Sequence, residues 1–529
     1  MAKNMFSTLA RAGELTSIPL SGLQGVGANM AMVMTKDEVG HAHAVIVDAG
    51  VTYDYAGNLP VEAAMYDPRD LLADDNLTIH GIVQTHGHED HIGTAPLNAM
   101  MGWFTDVPIY GPQLSTLYTQ ANLAGASFEG QPLPEDKWPD IKTFMPGETL
   151  ELGPLRIDSC AVEHSMAHST MVRVRHAGKT GDAHIFSGDL RLNGEGKLGW
   201  STDFPTLHQW GDDGVTAFYM ESTNALGSRA PGTEADVNEA LDRFIKDNAD
   251  KEIWLTGLSR NSQRMATVFD VAARNGLGVI LDGYSMVKSF EALKVAGLDP
   301  RQAADGKVKV LSRKDATRMI QSGKADPKDF VRYITGPLGG NGTLQMLVNG
   351  ERDHAVTGPD VVIGALQSGI PGTEEQMAEL DAGISASGAK IVRPSDDRQL
   401  SVSGHYQLHE APEFVVPLRP QAVIPLHGGP EQRAALAGEL SKPHVAREIG
   451  HELRLIQAEN GTPITGDSDG GVHVGETLPV SFVGFRDDQA HGFQKTPVYG
   501  LSPDLFADKG KKPPRPPAPA ASAAPQPQP

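Results

Sequence analysis

Short apolar runs that end in polar loops recur along most of this chain. Residues 42–48 read AHAVIVD and run into a turn with glycine, and the pair Ile82 and Val83 leads directly into a loop rich in histidine. Residues 171–175 (MVRVR) and 183–186 (AHIF) have the same character. Short apolar runs bounded by turn residues are typical of buried strands. We therefore predict a β-rich domain whose polar loops follow its strands.

The pattern changes in the middle of the chain. Residues 234–248 and 262–275 have the apolar spacing of amphipathic helices, and 253–255 and 279–281 read as strands between them. Alternation of strands and helices predicts a parallel sheet with its own core. Beyond about 395 the pattern of short strands and polar loops returns. The middle segment is therefore expected to be an α/β domain inserted into the first one.

The end of the chain has a different composition again. It finishes KGKKPPRPPAPAASAAPQPQP, and a segment so rich in proline and alanine cannot bury apolar surface and should be disordered. The expected division is 1–224 for the first part of the first domain, 225–395 for the inserted domain, 396–485 for the second part of the first domain and 486–529 for the tail.

Composition narrows the class of protein. The chain has 529 residues, of which 40% are apolar and 21% charged, as in a soluble globular protein with room for several domains. Its single cysteine, Cys160, excludes a disulfide framework and a cysteine-based metal site, and it fits a reducing compartment. The sequence shows neither the apolar segment of a secretory signal nor an apolar run long enough to span a membrane. We expect a cytoplasmic protein with no membrane partner.

The strongest chemical signal is the loop at 85–93, which reads THGHEDHIG. It places His86, His88, Asp90 and His91 directly after an apolar run. A single histidine there would be read as an ordinary polar residue, but this density of ligand types at a strand end predicts a site for divalent metals. Imidazole suits zinc and carboxylates bridge two ions well, so the ligand mix favours Zn²⁺, with Mn²⁺ as the alternative.

Further ligand candidates follow later strand-like runs. His164 and Asp189 come after such runs, Asp189 within the segment SGD, and His427 follows residues 422–425. Each of them alone would be equally consistent with an ordinary polar residue. Their recurrence at strand ends, behind the histidine loop, predicts that separate loops together hold a pair of metal ions.

In this order the motifs resemble those of the metallo-β-lactamase fold, an αββα sandwich, and more closely those of the β-CASP nucleases and bacterial ribonuclease J. The segments that carry the resemblance are THGHEDHIG at 85–93, His164 with Ser165, SGDLR at 187–191, ESTNA at 221–225, 261–264, DGYSM at 282–286, ITG at 334–336, SGIPGTE at 368–374, SVSGH at 401–405 and PLHG at 425–428. The resemblance implies an α/β fold in which a β-CASP domain interrupts the sandwich.

The resemblance also implies a role for each residue of the site. The implied metal ligands are His86, His88 and His164 for the first ion, Asp90, His91 and His427 for the second, and Asp189 as the bridge between them. Glu221 and His405 would form an acid pair beside the ions, and together with Asp90 they are the predicted catalytic residues. Family members that act on RNA carry histidine at the position of His427, which favours RNA as the substrate.

Substrate contacts are predicted at three places. The loop of Ser401, Val402, Ser403, Gly404 and His405 contains glycine, so its backbone amides can bind phosphate. A strand-to-helix junction, which also suits phosphate, carries Asn261, Ser262, Gln263 and Arg264. For Arg264 a phosphate contact and a surface salt bridge are equally good interpretations. The resemblance suggests that Ser368 and Gly369 hold a 5′-phosphate.

These inferences favour a two-metal ribonuclease that cleaves single-stranded RNA as a 5′–3′ exonuclease, an endonuclease or both. The alternatives are a DNA exonuclease of the same family, a small-molecule hydrolase such as a lactonase or thioesterase, and a metal-free scaffold. The net charge of −21 argues against nonspecific binding to nucleic acid, although only the charges beside the phosphates decide specific binding. We expect the family's C-terminal dimerisation domain to be missing, which leaves a homodimer through the catalytic domains.

Overall fold

The computed structural model describes residues 4–53, 61–128, 131–179, 181–192, 196–227, 232–336, 342–352, 355, 357–367, 369, 373–394, 400–466, 471–488 and 494–502. Ser368 and the Pro/Ala-rich end of the chain lie outside the described residues.

Strands dominate the first part of the chain. In chain order they are β1 (Thr16–Ser21), β2 (Met30–Lys36), β3 (Ala42–Val47), β4 (Thr52–Tyr53), β5 (Ala63–Tyr66), β6 (Leu77–Val83), β7 (Ile109–Gly111), β8 (Ser127–Phe128), β9 (Gln131–Pro132), β10 (Ile141–Thr143), β11 (Thr149–Leu152), β12 (Leu155–Ala161), β13 (Thr170–His176), β14 (Ala183–Phe186) and β15 (Ala217–Glu221). The helices among them are α1 (Arg69–Leu72), α2 (Glu89–Ile92), α3 (Ala95–Met101), α4 (Gln113–Gly125) and α5 (Phe204–Asp213).

Strands and helices alternate in the middle, as predicted. The strands are β16 (Glu252–Thr256), β17 (Gly278–Asp282), β18 (Val310–Ser312), β19 (Phe330–Ile334), β20 (Val361–Ala365) and β21 (Lys390–Val392), and the helices are α6 (Glu234–Asp247), α7 (Ser262–Arg274), α8 (Tyr284–Val295), α9 (Arg313–Gln321), α10 (Thr343–Val348) and α11 (Glu374–Ala386).

The last part of the chain returns to shorter elements. They are α12 (Ala411–Leu418), β22 (Ala422–Leu426), α13 (Pro430–Leu440), α14 (Pro443–Ile449), β23 (Arg454–Leu455), β24 (Ile464–Gly466), β25 (Val472–Val474), β26 (Phe482–Asp488) and β27 (Gln494–Leu501). Throughout the described part of the chain, no helix has the length and apolar character that crossing a membrane requires.

Two sheets from the first and last parts of the chain share one core. One sheet has the strand order β10-β7-β6-β3-β2-β1-β24-β25, and the other has the order β11-β12-β13-β14-β15-β22-β23. Side chains from both sheets, among them Val33, Val45, Val172, Tyr219 and Ile424, belong to the same buried apolar cluster. Removing these side chains from water stabilises the packing of the two sheets. The structure thus confirms the predicted sandwich.

Between β15 and β22 the chain builds a third sheet, in the order β18-β17-β19-β16-β20-β21. All its strand pairs are parallel. Leu241 of α6 and Phe269 of α7 pack with Leu281 and Tyr333 of the sheet in a separate apolar cluster. We call the elements from α6 to β21 the inserted unit. Its α/β character is confirmed, whereas the bounds 225–395 stay a prediction.

Regular structure runs past the predicted beginning of the tail at 486. Strand β26 pairs with β5 and with β27, which ends at Leu501. The side chains of Phe482, Val483 and Phe485 are buried. The sequence did not predict this hairpin, because the charged residues 486–488 interrupt the apolar pattern although the backbone there continues to pair.

Candidate active site

The histidine loop begins where β6 ends. Parallel pairing of β3 with β6 sets Val47 opposite Val83, so the loops that follow these strands start side by side. The carbonyl oxygen of His88 then accepts hydrogen bonds from the backbone N–H groups of His91 and Ile92, which starts the short helix α2. This tight turn brings the histidine and aspartate side chains on either side of His88 close together.

The later ligand candidates arrive from the other sheet. Strands β14, β15 and β22 are parallel neighbours, with Glu221 at the end of β15 opposite Leu426 at the end of β22. Because the carboxyl ends of parallel strands meet at the same edge of a sheet, Asp189, Glu221 and His427 converge there. His164 reaches the same edge from the loop between β12 and β13.

One set of ligand atoms surrounds the position expected for the first ion. Nδ1 of His88 lies 3.1 Å from Nε2 of His86 and 3.2 Å from Nε2 of His164. Oδ2 of Asp189 lies 3.5 Å from Nε2 of His86 and 3.5 Å from Nε2 of His164. The four residues predicted to share the first ion are therefore together.

A second set lies beside the first. Nε2 of His427 is 2.9 Å from Oδ2 of Asp90, and Nε2 of His91 is 3.8 Å from the same oxygen. Oδ1 of Asp189 lies 3.3 Å from Nε2 of His91 and 3.8 Å from Nε2 of His427. Asp189 thus turns one oxygen towards each set, which is the arrangement of a bridging carboxylate.

The donor atoms fit divalent metal ions. Ligands about 2.0–2.1 Å from a tetrahedral zinc ion lie about 3.3 Å from one another, and the first set has separations between 3.1 and 3.5 Å. Among the described residues, the buried Oδ1 of Asp189 has no hydrogen-bond partner. Imidazole nitrogens with carboxylate oxygens suit Zn²⁺ and also Mn²⁺.

Most of the predicted histidine ligands are oriented through their second ring nitrogen. The contacting atoms are His86 Nδ1 and Thr85 Oγ1 (3.1 Å), His91 Nδ1 and Asp48 Oδ2 (2.8 Å), His164 Nδ1 and the carbonyl oxygen of Gly404 (2.7 Å), and His427 Nδ1 and Thr223 Oγ1. Such contacts place the proton on Nδ1 and leave the lone pair of Nε2 for a metal.

Burial and charge set the protonation of the site. Burial lowers the pKa of His86, lowers that of His88 to about 3, and holds that of His164 well below its usual range, so these rings are neutral and can bind a metal. Burial opposes protonation of His91 as well, but the carboxylates around it, led by Asp189, outweigh burial and raise its pKa. The concentrated negative charge that stabilises a proton on His91 also attracts divalent cations, which would replace that proton on binding.

Glu221 and His405 meet beside these ligands. Nδ1 of His405 lies 2.9 and 3.0 Å from the two carboxylate oxygens of Glu221. The same oxygens accept hydrogen bonds from the backbone N–H groups of Leu190 (2.8 Å) and Thr223 (3.2 Å). The ring of His405 lies 5.3 Å from that of His164 between centroids. The structure therefore places the predicted acid pair at the site, and its catalytic role stays a prediction.

Most of the polar groups predicted to bind phosphate at the start of α7 form hydrogen bonds within the protein. Oδ1 of Asn261 accepts from the backbone N–H of Arg264 and caps the helix. Ser262 Oγ accepts from the N–H of Ala167, and Gln263 N–H donates to the carbonyl oxygen of Ser165. The contacts of Ser262 and Gln263 join α7 to the loop that carries His164, and phosphate binding by these residues stays a prediction.

For Arg264 the structure contradicts both interpretations made from the sequence, the phosphate contact and the surface salt bridge. Its side chain is buried, and its guanidinium donates to both carboxylate oxygens of Glu234 at 3.2 Å. It also donates to the backbone carbonyls of Leu366 (2.6 Å) and Leu400 (3.0 Å). A guanidinium engaged in this way faces neither a phosphate nor the solvent. The sequence did not predict this environment because the buried partner, Glu234, lies 30 residues away in the chain.

The remaining predicted contacts have mixed positions. Ser401, Val402 and Ser403 are buried, and Ser403 Oγ accepts from the backbone N–H of His405 at 3.0 Å. Together with the carbonyl of Gly404, this loop holds His164 and His405 in place, and phosphate binding by its amides stays a prediction. Gly369 is exposed, and Ser368 lies outside the described residues.

Two positioning residues were missed by the sequence analysis. Asp48 accepts hydrogen bonds from the backbone N–H of Thr85 (2.7 Å) and from His91, and Thr223 bonds His427. The sequence carries a signal for each, because Asp48 ends a predicted strand and Thr223 lies within the motif ESTNA.

The fold and the ligand set agree with one known class of protein. Residues 26–219 match the family model of the Metallo-beta-lactamase superfamily, so this part of the chain is similar to a metallo-β-lactamase domain. A crystal structure of a protein of unknown function from Enterococcus faecalis shares the fold, with a TM-score of 0.57 and 16% identity over 86% of this chain and 100% of that one.

Within that class the chain is similar to proteins named ribonuclease J. Identity is 28% with that of Sinorhizobium meliloti, over 79% of this chain and 70% of the relative. It is 28% with that of Corynebacterium glutamicum (79% and 54%) and 26% with that of Mycobacterium tuberculosis (86% and 75%). The chain is thus similar to proteins named ribonuclease J, as the order of its motifs predicted.

Proposed function

We propose that this protein is a metal-dependent ribonuclease that hydrolyses phosphodiester bonds of single-stranded RNA at a two-metal centre. The position of Asp189 carries the proposal, since its oxygens lie 3.5 Å from nitrogens of one ligand set and 3.3 Å from a nitrogen of the other. Similarity to proteins named ribonuclease J supports RNA as the substrate. Histidine at position 427, which the family resemblance associates with RNA, supports it as well.

The ions would be held by His86, His88 and His164 at one position, by Asp90, His91 and His427 at the other, and by Asp189 between them. Two divalent ions bound there would supply water activated near neutral pH and positive charge for the phosphate oxygens in the transition state. Zn²⁺ is the ion we favour, with Mn²⁺ as the alternative. The chain itself contributes neutral imidazoles at the first position, preoriented imidazoles at the second and a buried carboxylate between them.

Glu221 and His405 would act on the leaving group. An ionised carboxylate only accepts hydrogen bonds, so Nδ1 of His405 carries a proton and Nε2 is the nitrogen left to face the substrate. When Nε2 is protonated as well, His405 can donate that proton to the leaving 3′-oxygen. Backbone N–H groups of Leu190 and Thr223 hold the carboxylate in place during this transfer.

We propose that RNA enters between the sandwich and the inserted unit and that 225–395 forms a separate domain. Support comes from Arg260, which follows β16 and donates to the carbonyl of Gly87 in the histidine loop at 2.7 Å. The loop that follows β16 therefore contacts the loop that carries predicted metal ligands, and parallel sheets bind ligands at the carboxyl ends of their strands. Exonuclease and endonuclease action are both compatible with this path for the RNA. The cytoplasmic location of the protein stays a prediction.

The test uses a 5′-monophosphorylated, 3′-labelled single-stranded RNA, a DNA of the same sequence, and lactone and thioester substrates. Metal-loaded wild type is compared with His86→Ala, which removes a ligand, and with His409→Ala, which removes an exposed histidine outside the ligand sets.

We expect metal-dependent loss of RNA in wild type and His409→Ala, and none in His86→Ala. Mononucleotides released from the 5′ end would identify an exonuclease, and internal fragments an endonuclease. Intact RNA beside hydrolysed DNA, or beside a hydrolysed lactone or thioester, would contradict the proposal.

A further inference from the structure

His88 differs from the other histidine ligands in how it is held. Each of the others has a polar partner on its second ring nitrogen. Within the part of the chain that the structure describes, no hydrogen bond reaches Nε2 of His88. The orientation of His88 therefore depends on the backbone on either side of it, at Gly87 and Glu89.

Arg260 contacts both of these neighbours. Its Nη1 donates to the carbonyl oxygen of Gly87 at 2.7 Å, and its Nη2 lies 2.6 Å from Oε1 of Glu89. Asn122 closes the arrangement, because its Oδ1 accepts from Nη2 of Arg260 at 2.7 Å while its Nδ2 donates to the carboxylate of Glu89 at 3.1 Å. One guanidinium group thus contacts both the backbone before His88 and the side chain of the residue after it.

Packing fixes that guanidinium group. It lies 4.7 Å from the centre of the Tyr118 ring, the distance of a cation–π contact, and the side chain of Arg260 is only 18% exposed. Tyr118 also lies against Gly87, where an added Cβ would approach the ring to 2.7 Å. Arg260 is therefore held on an aromatic surface and directed at the backbone of the histidine loop.

Arg260 belongs to a different unit of the protein from the residues that it contacts. The residue lies between β16 and α7 of the inserted unit, whereas Gly87, Glu89, Tyr118 and Asn122 all belong to the first part of the chain. The inserted unit therefore helps to position His88, a predicted metal ligand of the sandwich.

We propose that Arg260 is a positioning residue for the first metal ion: it holds His88 through the backbone carbonyl of Gly87 and the side chain of Glu89, so docking of the inserted unit completes the metal site. This inference rests on the proposed two-metal centre. It assigns the inserted unit a part in metal binding that is separate from any contact with RNA.

The test is the Zn²⁺ affinity of the metal-stripped full-length protein, measured by competition with a chelator. Arg260→Ala is compared with Arg260→Lys and with Arg274→Ala, an arginine of α7 that pairs with Asp242 and Asp270. We expect Arg260→Ala to bind the first ion about ten- to a hundredfold more weakly, as on loss of an outer partner of a metal ligand. Arg260→Lys should recover part of the affinity, and Arg274→Ala should match wild type.

A spectroscopic readout accompanies the titration. In the Co²⁺-substituted protein, Arg260→Ala should show weaker and shifted visible absorption, because a loosened His88 changes the coordination of the ion. Wild-type Zn²⁺ affinity and an unchanged Co²⁺ spectrum in Arg260→Ala would overturn the inference. If such a variant also had a raised KM for RNA, Arg260 would be a substrate contact instead.

Two further variants keep the outcomes separate. His88→Ala tests the centre itself, since wild type without tight Zn²⁺ binding, or full binding in His88→Ala, would overturn the two-metal proposal together with this inference. Should Arg260→Ala fail to fold, Arg260→Lys and Asn122→Ala take its place. Each should weaken Zn²⁺ binding by less than the alanine variant would, and wild-type affinity in both would overturn the inference.

Discussion

Nδ1 of His405 lies 2.9 and 3.0 Å from the carboxylate oxygens of Glu221, although 184 residues separate the two in the chain. Glu221 ends β15, the last strand before the inserted unit, and His405 lies in the loop by which the chain returns to the sandwich. The contact therefore joins the place where the chain leaves the sandwich to the place where it comes back. Closing the chain around the inserted unit assembles the pair.

This relationship predicts that His405→Ala strongly slows catalysis without emptying the metal site. We expect the rate of RNA cleavage under single-turnover conditions to fall about 10²- to 10⁴-fold, the usual contribution of a general acid or base. Metal content should remain at the wild-type value because His405 belongs to neither ligand set. Glu221→Gln should lose less, since its amide oxygen can still accept from Nδ1. Loss of metal from His405→Ala, measured by elemental analysis, would contradict the assigned role.

A second prediction concerns Asp48, which fixes the tautomer of His91. Its carboxylate accepts from Nδ1 of His91 at 2.8 Å and from the backbone N–H of Thr85 at 2.7 Å. In Asp48→Asn an amide N–H can face Nδ1, which moves the ring proton to Nε2 and removes the lone pair that would bind the second ion. We expect the affinity for one of the two ions to fall about ten- to a hundredfold in a chelator competition.

The control for this variant is Asp106→Asn, which changes an exposed aspartate in the turn between α3 and β7. Equal metal affinities of the two variants would show that the charge and hydrogen bond of Asp48 do not matter at the site.

The sequence was informative where chemistry and local pattern coincide. His86, His88, Asp90 and His91 share one loop, and a strand end directly before it was enough to place them together. The true environment of Arg264 was invisible, because its partners Glu234 and Leu366 lie 30 and 102 residues away. The orienting role of Asp48 was hidden in the same way, since it depends on the pairing of β3 with β6. Long-range contacts of this kind follow from packing, which a single sequence does not display.

A third prediction follows from the ion pairs around Glu234. Arg264 and Arg191 both donate to its buried carboxylate, and Arg191 also pairs with Glu163, next to His164 in the chain. Burial opposes ionisation of Glu234, but the two guanidinium groups outweigh burial and lower its pKa below the usual 4.5. Glu234→Gln leaves buried positive charge without its partner, so we expect a loss of about 3–5 kcal/mol in the free energy of unfolding at pH 7.

The sign of the pH dependence follows from the lowered pKa. The ionised carboxylate stabilises the folded state fully above pH 4.5, the ordinary value, and this stabilisation disappears as the pH falls through the lower folded value. The difference between wild type and Glu234→Gln, measured by urea unfolding, should be constant from pH 7 to about pH 5 and shrink at more acid pH. Glu239→Gln, an exposed change on the same helix, should show little difference at any pH. A gap between wild type and Glu234→Gln that widens on acidification would refute the ion-pair explanation.

A fourth prediction concerns Gly50, where the loop after β3 lies against the loop that carries the ligands. A Cβ at this position would lie 1.7 Å from the carbonyl oxygen and 2.1 Å from the carbonyl carbon of Asp90. Both atoms are backbone, and the strand end holds them in place because Ala49 N–H donates to the carbonyl of His91 at 2.7 Å. Gly50→Ala must therefore displace Asp90 and His91 together, and we expect it to lose Zn²⁺ binding at the second position and RNA cleavage with it.

Gly125→Ala is the matched control, because nothing lies within 4 Å of a Cβ at the end of α4. It should keep full activity, and any change in its stability should be a gain of at most about 1 kcal/mol from the reduced freedom of the unfolded chain. Wild-type Zn²⁺ affinity in a folded Gly50→Ala protein would mean that the two loops can separate without disturbing the ligands.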